Sequence, residues 1–95
     1  MSGGELITKP FIFTGKALTM NFASSAAGAV KVEIQDANGK SLRGFALADS
    51  EDHFGDSIKR TVVWKSVTDV STLAGKPVRL RFALKDADLY ALKFE

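Results

Sequence analysis

Residues 78–85 read Val-Arg-Leu-Arg-Phe-Ala-Leu-Lys, so Val78, Leu80, Phe82 and Leu84 face one way and Arg79, Arg81, Ala83 and Lys85 the other. A period of two is the signature of a β-strand with one buried and one wet face. After a polar break at residues 86–88 the pattern resumes, with Tyr90, Leu92 and Phe94 opposed to Ala91, Lys93 and Glu95. Two such runs across a short break read as an antiparallel hairpin. Each presents an apolar face that a second layer has to cover.

The same period recurs upstream. Leu18, Met20 and Phe22 alternate with Thr19, Asn21 and Ala23, and Val30, Val32 and Ile34 alternate with Lys31, Glu33 and Gln35. Between them the small-residue run Ser24-Ser25-Ala26-Ala27-Gly28 anchors neither period and reads as a loop. Asn38-Gly39 supplies the residues a tight hairpin turn favours. Residues 42–47 and 60–65 give two further strands, the second carrying Val62 and Trp64 on one face. Residues 5–14, interrupted by Pro10, give a strand at a sheet edge. Residues 69–75 have the makings of one helical turn with Leu73 tucked beneath the sheet. The expectation is an all-β, two-sheet antiparallel β-sandwich, jelly-roll or immunoglobulin-like, with about seven to eight strands. Its core would hold Leu18, Met20, Phe22, Val30, Val32, Ile34, Val62, Trp64, Leu80, Phe82, Leu92 and Phe94.

With 95 residues the chain is one domain, residues 1–4 reading as a disordered start. Its 13 basic and 11 acidic residues are interspersed, which suits a solvated surface, and neither a nucleic-acid nor a membrane partner is expected. No apolar run approaches the roughly 20 residues of a membrane span. There is no cysteine, hence neither a disulfide framework nor a thiolate metal site.

Few residues have the makings of catalysis. His53 is the single histidine, and it lies in an acidic segment without the glycines of a nucleophile elbow, so it reads as a surface loop residue and the chain as a non-enzyme. That segment, residues 48–57, carries Asp49, Glu51, Asp52 and Asp56, oxygen ligands of the kind calcium takes. The competing reading pairs these acids with Lys59 and Arg60. No other cofactor is suggested. Trp64 and Tyr90 share strand faces with apolar residues and are expected in the core. Strand alternation turns Lys31, Glu33, Gln35, Arg79 and Arg81 outward, giving a shallow polar face suited to a weakly bound glycan.

Six runs of the chain carry a likeness to a known family. Phe13-Thr14-Gly15-Lys16-Ala17-Leu18, Gly28-Ala29-Val30-Lys31-Val32-Glu33-Ile34-Gln35-Asp36, Gly44-Phe45-Ala46-Leu47, Val62-Val63-Trp64 and Gly75-Lys76-Pro77-Val78-Arg79-Leu80-Arg81-Phe82 follow in that order. The most specific piece, Leu84-Lys85-Asp86-Ala87-Asp88-Leu89-Tyr90, closes the set. Together they resemble the C-terminal β-sandwich module of bacterial glycoside-hydrolase-like proteins of the fructan-cleaving, five-bladed-propeller type. The resemblance implies a non-catalytic accessory role, either binding polysaccharide or stabilising a glycoside hydrolase catalytic domain, in an extracellular or periplasmic setting. The alternative is a free-standing structural or protein-interaction domain without a glycan ligand.

Overall fold

A computed structural model describes residues 3–65 and 67–95, the side chains of residues 56–58 excepted. Four strands, β1 (Gly3–Ile7), β2 (Leu18–Asp36), β3 (Asp56–Thr61) and β4 (Val78–Phe94), form one antiparallel sheet in the order β1-β4-β2-β3. Short 3-10 turns at Leu47–Asp49 and Ser71–Leu73 complete the regular structure, and Leu73 packs half-buried against the core. The described residues therefore form a single four-stranded sheet, which corrects the expectation of a two-sheet sandwich with seven or eight strands.

The correction has a local cause. The two alternating runs on either side of residues 24–28 are halves of one 19-residue strand, and the two on either side of residues 86–88 are halves of one 17-residue strand. Pairing runs from Asp36↔Val78 to Leu18↔Phe94 and is interrupted between Ser24↔Ala87 and Ala29↔Lys85, where β2 carries more residues than β4. That is a β-bulge, which bends a strand without ending it. Asp86 absorbs the bend with φ 46°, an uncommon angle for a residue other than glycine. Gly28 sits so close to β4 that a Cβ there would lie 2.6 Å from the Asp86 carbonyl oxygen and nearer still to that of Lys85. The small side chains at residues 24–28 mark a close backbone approach, and no hairpin turn occurs at residues 86–88.

Phase explains the burial. Leu18, Met20, Phe22, Val30, Val32 and Ile34 from β2, with Val78, Leu80 and Phe82 from β4, are buried in one cluster, as their alternation requires. Trp64 and Val62 join it from the segment after β3. A second bulge, between Asn21↔Ala91 and Phe22↔Leu89, leaves Tyr90 without a partner on β2. The parity of β4 shifts there: Ala87 is buried, Leu89 is half-buried, and Tyr90, expected in the core, is 64% exposed. Leu92 is also exposed, while Phe94 packs on the cluster's rim, stacked on Phe13 with 4.0 Å between ring centroids.

Beyond Ala29, the edge of β2 away from β4 is covered by loops. Val30 exchanges backbone hydrogen bonds with His53, the Val32 N–H donates to Ser50 Oγ, and Trp64 Nε1–H donates to the Val32 carbonyl at 2.8 Å. Ile34 is served by Phe45 and Leu42, and Asp36 by Lys40 across the Asn38-Gly39 turn, where Gly39 has φ 86°. Residues 42–47 and 62–65, expected as strands, thus supply single bonds to β2 and make no continuous ladder. Gly3 and Gly4, where a disordered start was expected, pair with Lys85 and Leu84.

Candidate binding surface

On the side of β2 and β4 turned from the core, register places Lys31 opposite Ala83, Glu33 opposite Arg81 and Gln35 opposite Arg79. The five residues expected to form a polar face therefore do share one. Their polar atoms, however, are largely committed to one another. Glu33 and Gln35 are only 6% and 7% exposed. The Glu33 carboxylate accepts from Gln35 Nε2 at 2.7 Å and from the Leu47 N–H at 3.1 Å, and lies 3.6 Å from Arg81. Arg81 also pairs with Glu5 of β1, and that carboxylate holds the guanidinium pKa above its usual value. Arg79 Nε–H donates to the Ala37 carbonyl at 3.0 Å. The ladder stitches β1, β4, β2 and the Leu47–Asp49 turn together.

The acidic segment divides in the same way. Asp49 meets Lys65 at 3.0 Å and accepts from the Ala46 N–H, and the Lys65 hydrogen bond holds its carboxyl below the ordinary carboxylate range. Asp52 meets Lys31 at 3.6 Å, and Glu51 is exposed. The Asp56 side chain lies outside the described residues. Among the described residues, no three metal-ligating side chains come together. Among the described side chains of this segment, Asp49 meets Lys65 and Asp52 meets Lys31, while Lys59 pairs with Glu95 at 3.0 Å, and Arg60 lies over the Phe22 ring and donates to the Phe54 carbonyl.

His53, expected on the surface, is 3% exposed. Nδ1 lies 3.2 Å from the Val30 carbonyl and Nε2 accepts the Val63 N–H at 3.2 Å, which fixes the neutral tautomer with the proton on Nδ1. Burial is the largest cause pushing its pKa below the ordinary value. The ring serves as a bracket between β2 and the segment leading to Trp64. Nothing in the Asp-His-Phe-Gly run marks this role. The exposed edge of the Val30–Ile34 half of β2 is the signal that something nearby has to cover it.

An open depression of about 380 Å³ lies further along the sheet, where the first turns of β2 meet the end of β4. Thr19, Asn21, Lys59, Ala91, Lys93 and Glu95 line it, while Leu92, paired with Met20, alternates toward the other face of the sheet. The sheet sets this geometry, because Thr19 pairs with Lys93 and Asn21 with Ala91, and Thr19 Oγ1–H donates to the Lys93 carbonyl. Lys59 reaches in from β3 to Glu95, which also lies 3.8 Å from Lys93. The depression thus offers an amide, two ammonium groups and a carboxylate beside the Ala91 methyl group, whereas the Thr19 hydroxyl is buried and already bonded. Sequence reasoning passed over it, since Asn21 and Lys59 are unremarkable until β2 and β3 are brought side by side. Comparison with protein-family models, with curated proteins and with solved structures returned no match to this chain.

Proposed function

We propose that this chain is a non-catalytic accessory module that binds carbohydrate at the depression between the start of β2 and the end of β4. The ligand class comes from the resemblance of its sequence to modules of glycoside-hydrolase-like proteins, with fructan the first polysaccharide to try. The observation that carries the site is the set of donors and acceptors, Asn21, Lys59, Lys93 and Glu95, beside the exposed Ala91. A sugar ring offers the matching combination of hydroxyl groups and C–H faces. The commitment of both His53 nitrogens to backbone groups supports a structural role for the residue that catalysis would most readily have used.

Each polar contact that exchanges water for a sugar hydroxyl nets about 0.5–1.5 kcal/mol. A shallow site of this kind therefore binds at about millimolar Kd, near −4 kcal/mol. Lys31 and Arg79 extend the polar surface toward the far end of the sheet, whereas Glu33 and Gln35 are too buried to meet a polymer. Affinity electrophoresis through gels containing levan, inulin, xylan or β-glucan tests the proposal. Retardation in one of these gels that is lost in an Asn21→Ala/Lys93→Ala variant of unchanged melting temperature is the expected result. Free migration of the wild-type chain in every gel would overturn it.

A further inference from the structure

Among the described residues, the sheet order leaves the outer edge of β1 without a strand beside it. Thr8 N–H donates to the Leu80 carbonyl at 2.9 Å, in phase with the pairs Leu6↔Phe82 and Gly4↔Leu84. In an antiparallel ladder the hydrogen-bonding pairs alternate, so the even-numbered residues of β1 spend their backbone groups on β4. The odd-numbered ones, Glu5 and Ile7, direct theirs away from the sheet. Leu6 and Ile7 are 46% and 50% exposed, an apolar pair on an open edge of the kind that templates further pairing.

We propose that this edge pairs with β1 of a second copy of the chain, antiparallel and centred on Ile7, joining two four-stranded sheets into one. Backbone parity admits only registers that set odd-numbered residues opposite one another. Centring on Glu5 would bring two carboxylates face to face, and centring on Leu6 would set Glu5 against Ile7. β1 ends at Ile7 and its pairing with β4 shifts by one residue between Thr8 and Phe11. With the strand continued outward by two residues, centring on Ile7 sets Glu5 opposite Lys9 of the second copy on both sides of the two-fold axis, with the two Ile7 residues between them. Opposite charges across a strand pair favour this register and like charges oppose the alternative. Glu5 meets Arg81 through Oε2, which leaves Oε1 to face the incoming ammonium group. Pro10 has no N–H and bounds the ladder just beyond Lys9. A strand of unrelated sequence would leave these charges unmatched, whereas a second copy matches both, and the contact is isologous as a two-fold dimer requires.

Sedimentation equilibrium from micromolar to millimolar concentration reads the result directly. The wild-type mass should rise from monomer to dimer, while Ile7→Pro, which removes an outward N–H and no bond to β4, should remain monomeric. Lys9→Glu and Glu5→Lys should each be monomeric alone, yet sediment as a heterodimer when mixed, since the mixture restores opposite charges at both pairs. A wild-type chain that stays monomeric throughout, or dimers that persist in both Ile7→Pro and Lys9→Glu, would overturn the proposal. So would a mixture that stays monomeric. If Ile7→Pro fails to fold, the charge-exchanged mixture still decides the matter.

Discussion

Lowering the pH should destabilise this protein in a window that a single side chain controls. His53 is buried as the neutral imidazole, with Nε2 accepting the Val63 N–H. Protonation at Nε2 would set two donors against each other and place a charge in the core, so the native pKa lies below the ordinary value near 6.5. The unfolded chain binds the proton first as pH falls. The contribution of His53 to stability is therefore complete above the unfolded pKa and is lost as pH drops from there toward the native one. Between the two values the loss approaches about 1.4 kcal/mol per pH unit for one proton. Asp49 and Asp69 are also held below their ordinary values, by Lys65 and by Ser71 respectively. Their losses run the same way but begin only as the unfolded carboxylates titrate, near pH 4. Since the chain has one histidine, pH 5–7 isolates His53. Urea unfolding followed by fluorescence of Trp64, the single tryptophan and fully buried, reports the change. Stability should fall from pH 7 to pH 5 in the wild type and stay nearly level in His53→Gln. Equal slopes in the two proteins, or stability rising toward pH 5, would refute the reasoning.

Three further outcomes follow from the strand pairing. Gly28→Ala should cost about 1–3 kcal/mol in urea unfolding, because its Cβ would press on the Lys85 and Asp86 carbonyls, which cannot rotate away as a side chain can; unchanged stability would contradict the close approach at the bulge. Ser50→Ala should cost about 1–3 kcal/mol by stranding the buried Val32 N–H, with loss of protection of the Val32 amide in hydrogen exchange as the specific sign. Arg81→Ala should speed amide exchange throughout β1 and lower the melting temperature, since it frees Glu5 and leaves the buried Glu33 carboxylate without its cation; an unaltered melt would return Arg81 to the status of an ordinary surface residue.

Alternation made the core legible. Each of Leu18, Met20, Phe22, Val30, Val32, Ile34, Leu80 and Phe82 is buried because a period of two fixes which face a residue takes, whatever the strand pairs with. The number of sheets was not legible, because residues 24–28 and 86–88 have the composition of turns and the decisive fact is non-local. Gly28 lies against Lys85 and Asp86, which turns two apparent loops into one bulge in a continuous ribbon. Tyr90 was misplaced for a related reason, since an unpaired residue at a bulge reverses the parity on which its burial was inferred. The polar face was found by parity, but its chemistry was not: periodicity sends Glu33 outward and says nothing of Arg81, Gln35 and the Leu47 N–H closing over it. His53 and Trp64 act through side-chain bonds to the β2 backbone, contacts that leave no periodic trace.

The binding site itself is tested most directly by titrating 15N-labelled protein with short oligosaccharides of the gel panel, fructan first, and following backbone amide shifts. Binding at the depression predicts saturable changes at Thr19, Asn21, Lys59, Ala91 and Lys93, fitting about millimolar Kd, with the amides of residues 31–35 and 79–81 unmoved. Shifts confined to residues 31–35 and 79–81, or no shifts with any sugar of the panel, would contradict it.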